Sequence, residues 1–237
     1  MKALTALFVL CLFFTTTAQI STTERQALED FFHSTNGPEW NTEWDLTKPV
    51  DTWYGVQIKN NTVTGLELGF NNLQGEIPAS IKNLENLESI KLFFNQIGGE
   101  LPNEIGLLKN LKVLDLNSNL ISGNIPASVF ELDQLETLLL SSNNFTGVVS
   151  SDIAQLKNLK NLVLFDNHFF GDFPLAISNL NNLEELVLAE NNFNSESLKT
   201  SLAALTKQGT KIDFDEFNKG VQNTEFAILE IEDEEND

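Results

Sequence analysis

The stretch Leu66-Glu67-Leu68-Gly69-Phe70-Asn71-Asn72-Leu73-Gln74-Gly75-Glu76-Ile77-Pro78 returns five more times at a fixed step of 24 residues, without insertion or deletion. The pair Leu66/Leu68 recurs as Ile90/Leu92, Leu114/Leu116, Leu138/Leu140, Leu162/Leu164 and Leu186/Leu188. Asn71 recurs as Asn95, Asn119, Asn143, Asn167 and Asn191. Gly75 is matched by Gly99, Gly123, Gly147 and Gly171, with Ser195 in the sixth copy. Pro78 is matched by Pro102, Pro126 and Pro174, with Ser150 once in its place. A single closed globule has no use for such a period. Coils laid side by side do, because each buries its apolar wall against the next.

Within one coil the residue types assign themselves. Side chains alternate across a strand, so Leu66 and Leu68 face inward while Gly65, Glu67 and Gly69 face out. The repeated asparagine turns the chain away from the strand, and its amide can bond backbone groups within the turn, a buried need that a ladder of identical amides from Asn71 to Asn191 could satisfy. The glycine permits a tight bend and the proline fixes φ beyond it. Ile81, Ile105, Val129, Ile153 and Ile177, with Leu84, Leu108, Leu132, Leu156 and Leu180, fill the rest of the core. These positions are scaffold. Just ahead of each strand runs Thr64, Glu88, Lys112, Glu136, Lys160, Glu184, whose alternating signs should pair along the stack.

Residues 20–62 read as an N-terminal cap. Ser21 and Glu24 have the spacing of a capping box. Ala27, Leu28, Phe31 and Phe32 give one helical face, and Asn36-Gly37-Pro38 ends it. Trp40, Trp44 and Trp53 follow and are expected to pack over the open end of the stack. The run Trp53-Tyr54-Gly55-Val56, then Val63-Thr64-Gly65-Leu66-Glu67-Leu68 and the recurring Gly-x-Ile-Pro, resembles the plant-type leucine-rich-repeat class of receptor-kinase ectodomains and polygalacturonase-inhibitor proteins. That class carries a cysteine pair where this chain has Asp51 and Ile58, so a secreted bacterial-type relative is expected. The expected fold is an α/β repeat: a right-handed solenoid with a parallel sheet on its concave face, an irregular or 3-10 convex side and a helical cap. Residues 63–209 hold six repeats. In residues 210–223, Lys211-Ile212-Asp213-Phe214 reads as a strand displaced by two residues from the 24-step, within a degenerate capping repeat. Leu198, Leu202 and Leu205 suggest a short helix before it.

Residues 1–19 read as a signal peptide: Lys2, an apolar run from Ala3 to Phe14, and small residues near Ala18. The run falls short of the ~20 residues a membrane span needs. An extracellular, cell-surface or periplasmic location follows. Removing this segment takes away the one cysteine, Cys11, and leaves 13 basic against 34 acidic residues, a net charge of −21. Such a charge opposes nucleic acid and anionic membrane as partners. Thr224 to Asp237 forms an acidic tail, within which Phe226-Ala227-Ile228-Leu229-Glu230-Ile231 is apolar enough to cover the last edge or dock a partner.

The outward columns are where function can be read. The middle one runs Glu67, Lys91, Asp115, Leu139, Val163, Val187, charged first and aliphatic after. The next runs Gly69, Phe93, Asn117, Ser141, Phe165, Ala189, flanked by Phe70, Phe94, Ser118, Ser142, Asp166 and Glu190. Phe93, Asp115, Leu139, Val163, Phe165 and Val187 are therefore the candidate contact residues, since apolar patches on solvent faces mark contact surfaces. Phe70, Phe93 and Phe94 form a smaller candidate beside them. His33 and His168 are the only histidines and nothing singles out a catalytic set, so no enzyme activity, cofactor or metal is expected. Ice binding would want a regular threonine column, and the outward columns hold threonine only here and there. The expected function is that of an exported, monomeric recognition module for a protein or glycan. Alternatives are a structural or adhesive envelope component and, by the resemblance alone, an inhibitor of a secreted polysaccharide hydrolase.

Overall fold

The computed structural model of this 237-residue chain describes residues 20–206 and 210–213. Helix α1 spans Thr22–Ser34 and opens on the expected box: Ser21 Oγ accepts from Glu24 N, and the Glu24 carboxylate accepts from Ser21 N at 3.1 Å. The same carboxylate reaches further. Its other oxygen accepts from Val63 N at 2.9 Å, so a local helix cap also pins the helix to the first repeat. Val63 is fully buried and Glu24 nearly so. Burying a carboxylate is tolerable here because helix N–H groups and the repeat backbone satisfy it.

The tryptophans close the end of the stack. Trp44 stacks on Trp53 with ring centroids 4.8 Å apart, and Trp40 meets Trp44 edge-on at 4.9 Å. All three are buried, and each indole N–H donates to a backbone carbonyl, of Thr35, Tyr54 and Asp45 respectively. Buried rings whose polar edges are satisfied are core, and no ring face is left for a sugar.

Eight strands form the concave sheet. From Thr62–Glu67 onward they run parallel and in register, one per coil: Ser89–Lys91, Val113–Asp115, Thr137–Leu139, Asn161–Val163, Glu185–Val187 and Lys211–Asp213. Lys211 pairs with Glu185, a step of 26 rather than 24, which is the two-residue displacement expected of the last strand. The strand Val56–Lys59 precedes them and runs antiparallel to Thr62–Glu67. Asn60 and Asn61 join the two with φ of 53° and 61°. Two successive left-handed residues make the tight hairpin turn that asparagine tolerates. This hairpin was absent from the sequence reading and corrects it at one place: Gly65, expected to be open, is buried beneath Gln57.

The inward residues Leu66, Leu68, Leu138, Leu162 and Leu186 are fully buried, whereas Leu139, Val163 and Val187 are half-buried. Alternation thus sets the wall as expected. Beyond each strand the asparagine side chain joins coils through the backbone rather than through its own kind. Asn119 Nδ2 donates to Leu92 O of the preceding coil and Leu116 O of its own, and its Oδ1 accepts from Ile97 N. Asn143 and Asn167 repeat the arrangement one coil on each time.

The far side carries short 3-10 helices, Ala79–Asn83, Asn103–Leu107, Ala127–Glu131, Ser151–Gln155 and Leu175–Asn179. Four follow a proline with φ near −65°. The fourth in order follows Ser150, whose hydroxyl instead accepts from Asp152 N, so a side-chain cap replaces the ring constraint. After the last coil, α2 (Ser195–Thr206) buries Leu202 and Leu205 against the core. The proposed signal peptide and acidic tail lie outside the described residues.

Candidate functional site on the concave sheet

The sheet register brings the sequence-predicted residues together in columns. Asp115, Leu139, Val163 and Val187 are successive partners across adjacent strands. Phe93 and Phe165 stand in the next outward column, two coils short of and one coil beyond Ser141 respectively. All six are half-buried, as expected when each side chain rests on its neighbours at ~4.8 Å spacing. Ala189, in the same column as Phe165, is buried.

The most exposed apolar side chains are elsewhere. Phe70 and Phe94 are 63% and 55% exposed and stack on each other, centroids 4.5 Å apart and planes 9° from parallel. Phe93 meets Phe70 edge-on at 5.3 Å and lies over Gly69, where a Cβ would come within 2.7 Å of its Cζ. On the face next to the concave sheet, Leu120, Val148 and Phe170 are each about half exposed. Reading the strand columns missed this trio, because its members occupy three different repeat positions. The signal available was apolar character at positions that are polar in the other coils. Outward positions there run Gln74, Gly98, Ser122, Thr146, Phe170, Asn194, with no threonine column.

Much of the charge along the sheet is paired. Lys112 Nζ bonds Glu88 at 2.7 Å and Lys160 Nζ bonds Glu136 at 2.6 Å. These hydrogen bonds, helped by the ionic attraction, hold both glutamates below and both lysines above their ordinary pKa values. Each lysine bonds the glutamate one coil toward the cap, as alternating signs at strand spacing require. Lys91 Nζ bonds Glu67 at 2.7 Å. Asp115 makes no ion pair among the described residues; its carboxylate accepts one hydrogen bond, from Asn117 N at 3.1 Å. Burial pushes its pKa up, against the pull of that bond and of the Lys91 charge. His33 and His168 lie on α1 and on the strand His168–Gly171, and no group of three metal-ligating side chains forms among the described residues.

Coils with one parallel strand each, turned by a buried asparagine and returned through a 3-10 helix, define a repeat solenoid of the plant type. A family model for the leucine-rich repeat region matches residues 66–214, and the chain belongs to that family. Similar solved structures include a plant ice-binding protein, 27% identical over 74% of this chain and 58% of that one, with a TM-score of 0.66. The ectodomain of the Arabidopsis receptor kinase HAESA, in complex with an N-terminally extended IDA peptide hormone, is 28% identical over 81% of this chain and 32% of that one, TM-score 0.71. The BIR2 ectodomain of Arabidopsis thaliana, at 24% identity over 76% and 97% with a TM-score of 0.66, shares the fold. The chain thus spans a little over half the length of the ice-binding protein and about a third of the HAESA ectodomain. No helix among the described residues is long and apolar enough to cross a membrane.

Proposed function

We propose that this chain is an exported, non-enzymatic recognition module that binds a protein partner through its concave sheet. The observation that carries the reading is the strip Leu139–Val163–Val187, three aliphatic side chains in register on an outward-facing column, with Phe165 beside it. Strand propensity favours such residues, but the first half of the same column is Glu67, Lys91 and Asp115, so the scaffold does not require them. A preformed curved surface loses little ordering entropy on binding. The HAESA complex with a peptide hormone supports the reading by analogy, and fold analogy supplies the surface rather than the ligand. Export rests on residues 1–19, and N-terminal sequencing of the protein recovered outside the cell checks it.

A photo-cross-linking side chain at Val163, used on the full chain in its native extracellular medium, should capture a partner. The double variant Leu139→Glu/Val163→Glu should lose that partner while keeping its thermal transition. The same capture by the folded double variant would move the site off the concave sheet.

A further inference from the structure

At the rim of the concave sheet, where each strand gives way to its asparagine, runs a file of side chains that the scaffold does not need. It reads Phe70, Phe94, Ser118, Ser142, Asp166, Glu190, one per coil. All six hold a left-handed φ between 51° and 57°. The N–H at each position from Phe70 to Asp166, apart from the strand ladder itself, bonds the coil that follows. The file is therefore straight and rigid, with a step of one strand spacing, ~4.8 Å. The stacked rings of Phe70 and Phe94, 4.5 Å apart, keep that pitch. Left-handed φ is costly for a bulky side chain, and Ser118 and Ser142 make the same turn, so the turn does not call for a ring. Burial does not account for the rings either, since both are more than half exposed. Among the described residues, the hydroxyls of Ser118 and Ser142 and the carboxylates of Asp166 and Glu190 have no hydrogen bond or ion pair.

We infer that this file is a second binding site, whose ligand is a neutral, linear polysaccharide lying along the coils. It goes beyond the concave-sheet reading and does not rest on it. Phe70 covers one face of Phe94, and the other face looks along the file over Ser118. A pyranose has an apolar C–H face that suits an aromatic ring and a border of hydroxyls that suits short polar side chains. Phe94 and Asp166 are three spacings apart, about 14 Å, and the two serines between them are small enough to leave room for sugar rings. Serine hydroxyls donate and accept, while the Asp166 and Glu190 carboxylates accept only, so together they can meet neighbouring sugar hydroxyls. Charge narrows the class of sugar. The file holds two carboxylates and no lysine or arginine, on a chain of net charge −20, so uronates and sulfated glycans are repelled and a neutral chain is not. A protein contact would concentrate apolar side chains at its centre and leave polar groups to its border. Here hydroxyls hold the centre and the rings stand at one end. Phe70 and Glu190 are five spacings apart, about 24 Å, which asks for a chain of several sugars rather than one.

The test uses the full chain and isothermal titration with cellohexaose, laminarihexaose and mannohexaose, and with hexagalacturonate as the charged control. At least one neutral hexamer should bind with a submillimolar Kd, and hexagalacturonate should bind about tenfold more weakly or not at all. Phe94→Ser, which puts there the residue that the next two coils carry, should weaken the neutral hexamer about tenfold while keeping the thermal transition. Ser118→Phe carries the ladder of rings one coil further, fills the space over Ser118 and should weaken it as much. Asp166→Ala, at an exposed position, should weaken it by a smaller factor. The concave variant Leu139→Glu/Val163→Glu should bind the hexamer as the parent does. No binding of the three neutral hexamers at millimolar concentration, equal or tighter binding of hexagalacturonate, or binding unchanged in either folded variant, Phe94→Ser or Ser118→Phe, would each overturn the inference. So would a file that serves the protein partner instead: Phe94→Ser would then lose the cross-link from Val163 while the parent binds no hexamer.

Discussion

Removing one asparagine from the middle of the stack should cost far more than removing one at its end. In Asn119→Ala the N–H of Ile97 loses its acceptor, at 3.1 Å, in a place that is fully buried. Leu92 O and Leu116 O each lose one of two asparagine donors and keep the other, from Asn95 and Asn143. A buried donor left unmet costs ~1–3 kcal/mol, and each lost but substitutable bond ~1 kcal/mol, so the variant should lose about 3–5 kcal/mol. Against a typical total of ~5–15 kcal/mol that is a large fraction. Asn191 makes the corresponding bonds, to Leu164 O, Leu188 O and from Phe169 N, but is itself only half-buried, so water can replace part of what Asn191→Ala removes. Its loss should be about half as large. Urea unfolding followed at once by far-ultraviolet circular dichroism and by fluorescence of the three cap tryptophans reads both variants. Because neighbouring coils hold each other, Asn119→Ala should also separate the two probes, the cap unfolding at a different urea concentration from the bulk strand signal. A loss below ~1 kcal/mol at Asn119, or equal losses at the two sites, would refute the view that the asparagines bind coil to coil.

Glu24→Ala should cost about 2–4 kcal/mol, because it removes the helix cap and strands the buried Val63 N–H together; Glu24→Gln, which can still accept from Val63, should cost less in the same urea assay. Asp115→Asn should stabilise the fold at neutral pH. The folded-state pKa of Asp115 is raised, so its ionisation favours the unfolded chain as pH climbs past the ordinary value of 3.8, and the gain from the variant should vanish below that pH. Glu88 and Glu136 carry the opposite sign. Their depressed pKa values give stability that is present above the ordinary 4.5 and lost as pH falls through the folded values, and urea midpoints at low pH in Lys112→Met and Lys160→Met should show a smaller acid loss than the parent. Because these pairs are exposed, molar salt should flatten the difference.

The period, the strand positions, the inward wall and the α1 cap were legible before any coordinates, since each is written in residues that touch within one coil or one helical turn. Leu138 against Leu139 is decided by parity alone, and Ser21 with Glu24 by spacing. The shifted register of Lys211 was also legible, as the apolar pattern slips by two. Tertiary structure decided what depends on the coil next door. Glu24 gains Val63 as a second partner only because the helix lies across the first repeat, and Gly65 is covered only because Asn60 and Asn61 fold a strand back over it. Exposure is the clearest case. Phe93 settles onto Gly69 while Phe70 and Phe94, in the same aromatic group, stay in water, and Leu120, Val148 and Phe170 stand exposed at three different repeat positions. A period says which way a side chain points. Whether anything lies over it is set by neighbours 22 to 27 residues away in sequence, at a distance of one strand spacing.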